Sequence, residues 1–495
     1  MKARRFSSAA VVDLLRNWQQ RLAATSWEVR AGWALGGGAV LLALLVAICG
    51  INGPIPEGHT GASAACGTAA FNMWRWGIWY PVSSYVDRPP PPSMAYMHHP
   101  LGIFWTLAVV GKLFGFANWT LRIAPLVYVT ATAALLWRIG RSLWGEIPGA
   151  LTAVAFVALP ITLGYANYHD LEQPVIFGCV LATWGYVRLL QSWRLRHALA
   201  GAVGFAFALG HDWPAYMWGA AFLPMLFVYG YVVPEKLRAP IDARAFGRFW
   251  ALLALAVAAN VVVEIVALWK SGRISDVLAS YTNRSTGSDM PLAAVLAARH
   301  YRINLMFTAL AIVMGKLALP VIVARGIARR DHREWLALPF FVAAVVQYTE
   351  FKQGADVHIF WPHYFTPYFA LAGGALAATV ADLTTWAGVA LRRGARAAEW
   401  KRAAPWVALV VCGLPLVVVL RDGLSLVRLA RETGARFAEA NLDSDYDKHA
   451  VLSWFLPQVP ANLGIAYHPG IYASWAVQWT TRPRTSTTSR RPAAR

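Results

Sequence analysis

Residues 32–51, GWALGGGAVLLALLVAICGI, run for twenty positions without a charge. Crossing a bilayer as a helix takes about 20 predominantly apolar residues. Similar apolar segments recur along most of the 495-residue chain, which is 57% hydrophobic and only 14% charged. Soluble domains carry about 25% charged residues, so this pattern specifies an all-α polytopic membrane protein. The 24 Trp and 18 Tyr suit aromatic belts at the two interfaces. A net charge of +20 could signal a nucleic-acid partner. The basic residues instead sit in short clusters between apolar segments, as loops on the cytoplasmic side do, so no nucleic acid is implied. Cys49, Cys66, Cys179 and Cys412 match neither a metal spacing nor a disulfide framework. Ile48 stands where a lipoprotein site would need a small residue, and the first apolar run begins too late for a signal peptide. It reads as an uncleaved anchor.

Residues 1–31 carry Lys2, Arg4, Arg5, Arg16, Arg21 and Arg30, with Val11, Leu14, Leu15, Trp18 and Leu22 at helical spacing. This predicts a basic amphipathic segment on the cytoplasmic surface. A polar outer loop, 52–121, follows the first span. Within it, 101–116 is too short to cross and contains Lys112. It is expected to lie in the outer interface, which leaves Arg138 and Arg141 inside. The remaining spans then alternate: 122–139, 147–167, 174–191, 198–210, 215–232, 249–268, 303–323, 335–350, 362–381 and 404–420. That gives about 11 transmembrane helices within 32–420, with 269–302 as an outer loop. Most Lys and Arg outside the tail fall on the inner side of this arrangement. A polar tail, 421–495, is placed outside, disordered after about residue 480.

With this sidedness, many ionisable residues share the outer face. They include Glu57, His59, Asp87, His98, His99, His169, Asp170, Glu172, His211, Asp212, His358 and His363. Polar groups at membrane depth are costly and usually face a cavity or a partner, whereas a loop residue such as His59 or Asp87 is ordinarily just solvated. His169-Asp170-x-Glu172 and His211-Asp212 stand out because their connections are short. Trp74, Trp76, Trp79 and Tyr80 are either belt residues or the lining of a sugar or lipid site.

The segments YMHHPLGIFWTLAVVGKLFG (96–115), NWTLRIAPL and RIGRSLWG carry a resemblance, joined by YANYHDLEQP and HIFWPHYFTPYFALAGG. Together they resemble the polyprenyl-phosphate-sugar-dependent glycosyltransferases of the C-type (GT-C) fold, the protein mannosyltransferase and lipid A aminoarabinose transferase group. The matching features are His99-Pro100, Phe114-Gly115, Arg122-Ile123, Arg138 with Arg141, an acid near a Pro at the second outer turn, and a polar-aromatic-Pro entry to a late helix. The resemblance covers roughly residues 32–380. It implies a multi-pass plasma-membrane enzyme with its active site outside. The donor would be a polyprenyl-phosphate sugar, the acceptor a lipid, glycan or protein, and membrane lipids the surroundings. Such a family usually has an Asp, often Asp-Glu, soon after the first span, as general base or metal ligand. Here Ala62-Ser63 occupy that place.

Transfer needs a carboxylate within hydrogen-bond reach of the acceptor hydroxyl and cations or donors where charge develops on the leaving phosphate. Candidate bases are Glu57, Asp170 and Glu172. Candidate phosphate partners are Arg122, Lys352, His358 and His363. His98, His99, His211 and Asp212 are expected at a substrate, with Tyr364 beside them, and a divalent metal ion is an open cofactor. Two rival readings remain: a transporter or flippase of lipid-linked sugars, and a non-catalytic lipid-sugar-binding member of the same fold.

Overall fold

The computed structural model describes residues 26–49, 51–52, 62–84, 86–286, 291–358, 360–391 and 397–433. The basic segment up to residue 25, Glu57, His59 and the tail from 434 lie outside the described residues. Among those described there are helices and no strand.

Helix α1 (Trp27–Ile48) starts where Ser26 caps it, its Oγ accepting from Val29 N. α2 (Ala62–Trp76) and α3 (Gly102–Phe114) both fall within the first polar loop. α3 buries Ile103, Phe104 and Leu107 and exposes Trp105, Val109 and Leu113. At 13 residues it is about 20 Å long, too short to cross, and an apolar outer stripe beside Lys112 suits an interfacial helix. α4 (Ile123–Trp144) then runs down into α5 (Glu146–Ala158). The span expected over 147–167 is broken at Leu159, because Pro160 cannot continue the hydrogen-bond ladder.

α6 (Glu172–Ser192) and α7 (Leu195–Leu209) lie closely side by side. Their contact is made by glycines: a Cβ on Gly178 would lie 2.5 Å from Gly204 O, and one on Gly185 would lie 2.5 Å from Gly201 N. Small residues let membrane helices approach in this way. α8 (Pro214–Phe227) and α9 (Ala243–Ser271) follow.

The stretch expected as an outer loop, 269–302, instead folds into α10 (Ile274–Thr286) and most of α11 (Leu292–Met306). The span expected at 303–323 shifts to α12 (Ala309–Arg329), because the chain breaks at Phe307 and restarts under the Thr308 cap. α13 (Leu338–Glu350) and α14 (Thr366–Leu391) come next. α15 (Ala397–Thr433) continues past residue 420, where the last span was expected to end.

Eight of the described helices are long and apolar enough to cross a membrane. The other three expected crossings correspond to α5, α7 and α13, helices of 13 to 15 residues.

The far end of the bundle, at the C-terminal ends of α4, α12 and α14, is clamped by a buried ionic knot. Arg325 donates to Glu334 (2.9 and 3.1 Å) and Asp382 (2.8 Å), and Trp144 Nε1 donates to Glu334 at 2.7 Å. Next to it, burial pushes the His332 imidazole down to about 3, so it stays neutral, stacked on Tyr229.

Candidate active site

The opposite end gathers the N-terminal ends of α4, α6, α8 and α14. Helix N-termini favour negative charge, and the buried Asp170, Glu172 and Asp212 lie at this end.

The first cluster forms where the polar loop meets the α7–α8 turn. Gly102 N donates to Gly210 O at 2.6 Å. A Cβ on Gly102 would stand 2.3 Å from that oxygen, so this approach requires glycine. The contact brings His99 onto Asp212, with His99 Nδ1 and Asp212 Oδ1 2.8 Å apart. Asp212 also accepts from Trp213 N and from the Tyr364 hydroxyl, both at 2.9 Å. Trp213 Nε1 donates to the His98 carbonyl at 2.8 Å, pinning the His98-His99 segment.

His211 faces the other way. Its Nδ1 donates to Phe207 O (2.6 Å) and its Nε2 accepts from Thr106 Oγ1 (3.1 Å). Burial drives its pKa down to about 4, so it is a neutral packing group. The structure therefore separates the two members of His211-Asp212.

The second cluster is the 165–172 connection. His169, Asp170 and Glu172 are all buried. Ser63 Oγ, in the first turn of α2, donates to Asp170 Oδ1 at 2.7 Å. Arg122, 2% exposed, donates from Nη1 to Ile51 O at 2.9 Å, and its guanidinium carbon lies 5.7 Å from the centre of the Tyr168 ring. Asn167 Nδ2 reaches Cys49 O at 3.0 Å, so this connection is laced to the end of α1. His363 packs its ring against Tyr165.

Cys66, on α2, is within electrostatic range of both clusters. Burial pushes its thiol well above the ordinary range, and the charges of Asp170, Glu172 and Asp212 push it further.

Beside the first cluster opens a cavity of about 390 Å³; no residue of the 165–172 connection lines it. His98, His99, Asp212, Tyr216, Arg284, Gln347 and His358 supply its polar lining, and Met217, Leu278, Phe351 and Trp361 much of the apolar remainder. His358 stacks on Trp361. Burial, followed by the neighbouring His99, lowers the pKa of His98. Arg284, on α10, is held by Gln353 Oε1 at 3.1 Å.

Lys352 is not among the lining residues. It contributes its carbonyl, which accepts from Arg299 Nη2 at 2.8 Å. Asp87 is exposed, Trp74 and Trp79 are largely so, and Tyr80 is buried with its hydroxyl on Pro90 O. Among the described residues no three His, Cys, Asp or Glu side chains form a metal-binding group. Sequence reasoning passed over Arg284 and Gln347, because nothing marks an arginine in an expected loop. It noted Ser63 only as a missing acid.

The structure of ArnT from Cupriavidus metallidurans bound to undecaprenyl phosphate superposes with a TM-score of 0.57 over 90% of this chain and 84% of that one, at 15% identity. The Archaeoglobus fulgidus oligosaccharyltransferase in the apo form gives 0.55 at 11% identity, over 91% of this chain and 64% of that one. The fold is that of the C-type membrane glycosyltransferases. Residues 98–269 also match the family described as dolichyl-phosphate-mannose-protein mannosyltransferase. A 160-residue stretch is 24% identical to the Arabidopsis thaliana dolichyl-diphosphooligosaccharide–protein glycosyltransferase subunit STT3B; it spans 31% of this chain and 21% of that protein. The resemblance read in the sequence is therefore borne out. In this C-type fold the family match begins at His98 and takes in Asp170, Glu172 and Asp212.

Proposed function

We propose that this protein moves a hexosyl or pentosyl unit from a polyprenyl-phosphate donor to a lipid, glycan or protein acceptor at the outer face of the plasma membrane. The observation that carries the reading is a cavity walled by Asp212, His98, His99, His358 and Arg284, with the buried Asp170 and Glu172 within electrostatic range of the same Cys66 as Asp212.

The chemistry divides between these halves. The acceptor hydroxyl gives its proton to a carboxylate, with Asp170 and Glu172 as the candidates in the structure and Glu57 a third outside the described residues. The phosphate leaves toward Arg284 and the cavity histidines, whose donors match the charge that develops on its oxygens. His99 is held by Asp212 through Nδ1, so its ring keeps one orientation on the cavity wall. The apolar remainder of the lining suits the first isoprene units. Two structures of the same fold support the donor class: ArnT was solved with undecaprenyl phosphate, and the archaeal AglB with a dolichol-phosphate and an inhibitory peptide. Asp170 and Glu172 are also the carboxylates that could contribute ligands to a divalent ion.

A second reading is favoured by Ala62-Ser63 standing where the family carries an acid: a protein that binds lipid-linked sugars without turnover. One experiment separates the two. Purified protein in liposomes is supplied with polyprenyl-phosphate hexoses and pentoses, and released polyprenyl phosphate and glycosylated acceptor are followed by mass spectrometry. The proposal expects both products with wild type and neither with an Asp170→Asn, Glu172→Gln double variant. Donor binding without turnover by wild type overturns it in favour of the binding protein.

A further inference from the structure

We infer that Ser63 is the positioning residue that holds Asp170 for proton transfer, an inference that rests on the proposed transfer reaction with Asp170 as its base. Two residues 107 positions apart meet here, both buried: Ser63 is 0% exposed, Asp170 is 3% exposed, and Oγ and Oδ1 are 2.7 Å apart. A serine hydroxyl has one proton to donate, and an ionised carboxylate can only accept. The direction of this bond is therefore fixed: Ser63 gives, Asp170 receives.

The two partners differ in how firmly they are held. Asp170 sits in the connection between α5 and α6, outside regular structure. Ser63 sits on α2, which packs Ala64, Ala69, Ala70 and Phe71 with Ile103, Phe104 and Leu107 of α3. The far end of α2 is tied down by Asn72 Nδ2, which donates to Val82 O (2.7 Å) and Ser84 O (2.8 Å). Ser63 thus anchors a connection-borne carboxylate to a packed helix, the kind of support that holds a reacting group within tenths of an ångström.

The pocket chemistry explains why a neutral donor works at this spot. The charges of Asp170, Glu172 and Asp212 already act on Cys66. A carboxylate at position 63 would add a fourth negative charge beside Asp170. A hydroxyl there adds none and offers a proton instead. Cys66, one turn along the same face, is kept protonated by burial and so adds no further negative charge.

In the reaction, the acceptor oxygen bonds to the anomeric carbon while the bond from that carbon to the phosphate oxygen breaks. The lipid phosphate leaves with the electron pair, and the acceptor proton passes to Asp170. The Ser63 proton stays on Ser63 throughout.

The test measures kcat, donor KM and thermal unfolding for wild type, Ser63→Ala, Ser63→Thr, Asp170→Asn and the Ser63→Ala, Asp170→Asn double variant. The measurements use purified protein in liposomes with a polyprenyl-phosphate sugar that wild type transfers. Misplacing a reacting group by about 1 Å can cost roughly a hundredfold. Ser63→Ala is therefore expected to lower kcat by roughly ten- to a hundredfold in assays run well below the unfolding temperature, with KM within about twofold, while the lost buried hydrogen bond lowers the unfolding temperature by a few degrees. Ser63→Thr keeps the hydroxyl and recovers most of the loss. On the Asp170→Asn background, Ser63→Ala costs nothing further, because the two act as a unit. Full kcat in Ser63→Ala with a dead Asp170→Asn overturns the inference and leaves the proposed function standing. So does a kcat loss that disappears when the assay is run well below the unfolding temperature, or one that multiplies with Asp170→Asn. Full activity in Asp170→Asn removes Asp170 as the base and Ser63 with it. A wild type that transfers no sugar overturns both the function and this inference.

Discussion

Removing the Asp212 carboxylate tests whether the cavity wall is built as described. Three donors converge on it: His99 Nδ1 at 2.8 Å, Trp213 N at 2.9 Å and the Tyr364 hydroxyl at 2.9 Å. Asp212→Asn preserves the shape. The amide oxygen can stay on the two N–H donors, and its NH2 can face Tyr364, whose hydroxyl turns to accept. What is lost is charge. A hydrogen bond to a charged group contributes about 1.5–3 kcal/mol and a neutral one about 0.5–1.5, so three bonds lose about 1 kcal/mol each. The His99 side chain is 24% exposed, which trims its share through solvent screening. The total for Asp212→Asn is then about 2 kcal/mol. Asp212→Ala leaves His99, Trp213 and Tyr364 with unmet donors at about 1–3 kcal/mol each, so about 4 kcal/mol is expected. Thermal unfolding of the detergent-purified variants should rank wild type above Asn and Asn above Ala. Transfer activity should fall with both variants, because His99 is no longer held. An Ala variant as stable and as active as wild type, or an Asn variant less stable than Ala, would refute the convergence of these donors on one carboxylate.

Three further outcomes follow from the same geometry. Arg284→Gln removes a cation from the cavity wall and should raise donor KM roughly tenfold, about 1.4 kcal/mol, with unfolding unchanged; steady-state kinetics would read it. Burial lowers the His211 pKa to about 4 from an ordinary 6.5, so between those values the unfolded chain binds the extra proton and stability falls as pH drops. Wild type should therefore lose thermal stability from pH 7 to pH 5, and His211→Gln should lose less of it over the same window. Arg325→Leu removes both close hydrogen bonds from Arg325 to the buried Glu334 and leaves it only the longer 3.7 Å ion pair with Arg329, so it should cost up to about 3–5 kcal/mol of stability, while donor KM in the folded protein stays at the wild-type value.

The apolar periodicity made the helices legible, and the positions of α1, α4, α6 and α8 follow the hydropathy pattern within a few residues. α3 was readable as a surface helix from its length and Lys112. Where the reading slipped, local chemistry intervened. Pro160 cut one expected span, and Phe307–Thr308 moved another along the chain. α10, with the sequence ISDVLASYTNRST, is too polar to register as a helix by hydropathy, so Arg284 went unnoticed with it.

The site was half legible. Short connections pointed to Asp170, Glu172 and Asp212, because charge in a tight turn at a helix end is seldom idle. The partnerships were hidden, since Ser63 with Asp170 and His99 with Asp212 are pairs more than a hundred residues apart. The two neighbours His211 and Asp212 looked like one motif, yet they turn to different surroundings, one sealed and neutral, the other on the cavity wall.

The most direct measurement of the central claim is a cryo-EM structure of the full-length protein in nanodiscs with polyprenyl phosphate added. The account predicts phosphate density in the cavity between Arg284 and His99, with the lipid tail running past Leu278 and Phe351. Phosphate density elsewhere on the protein with that cavity empty, at a lipid concentration that saturates binding, would contradict it.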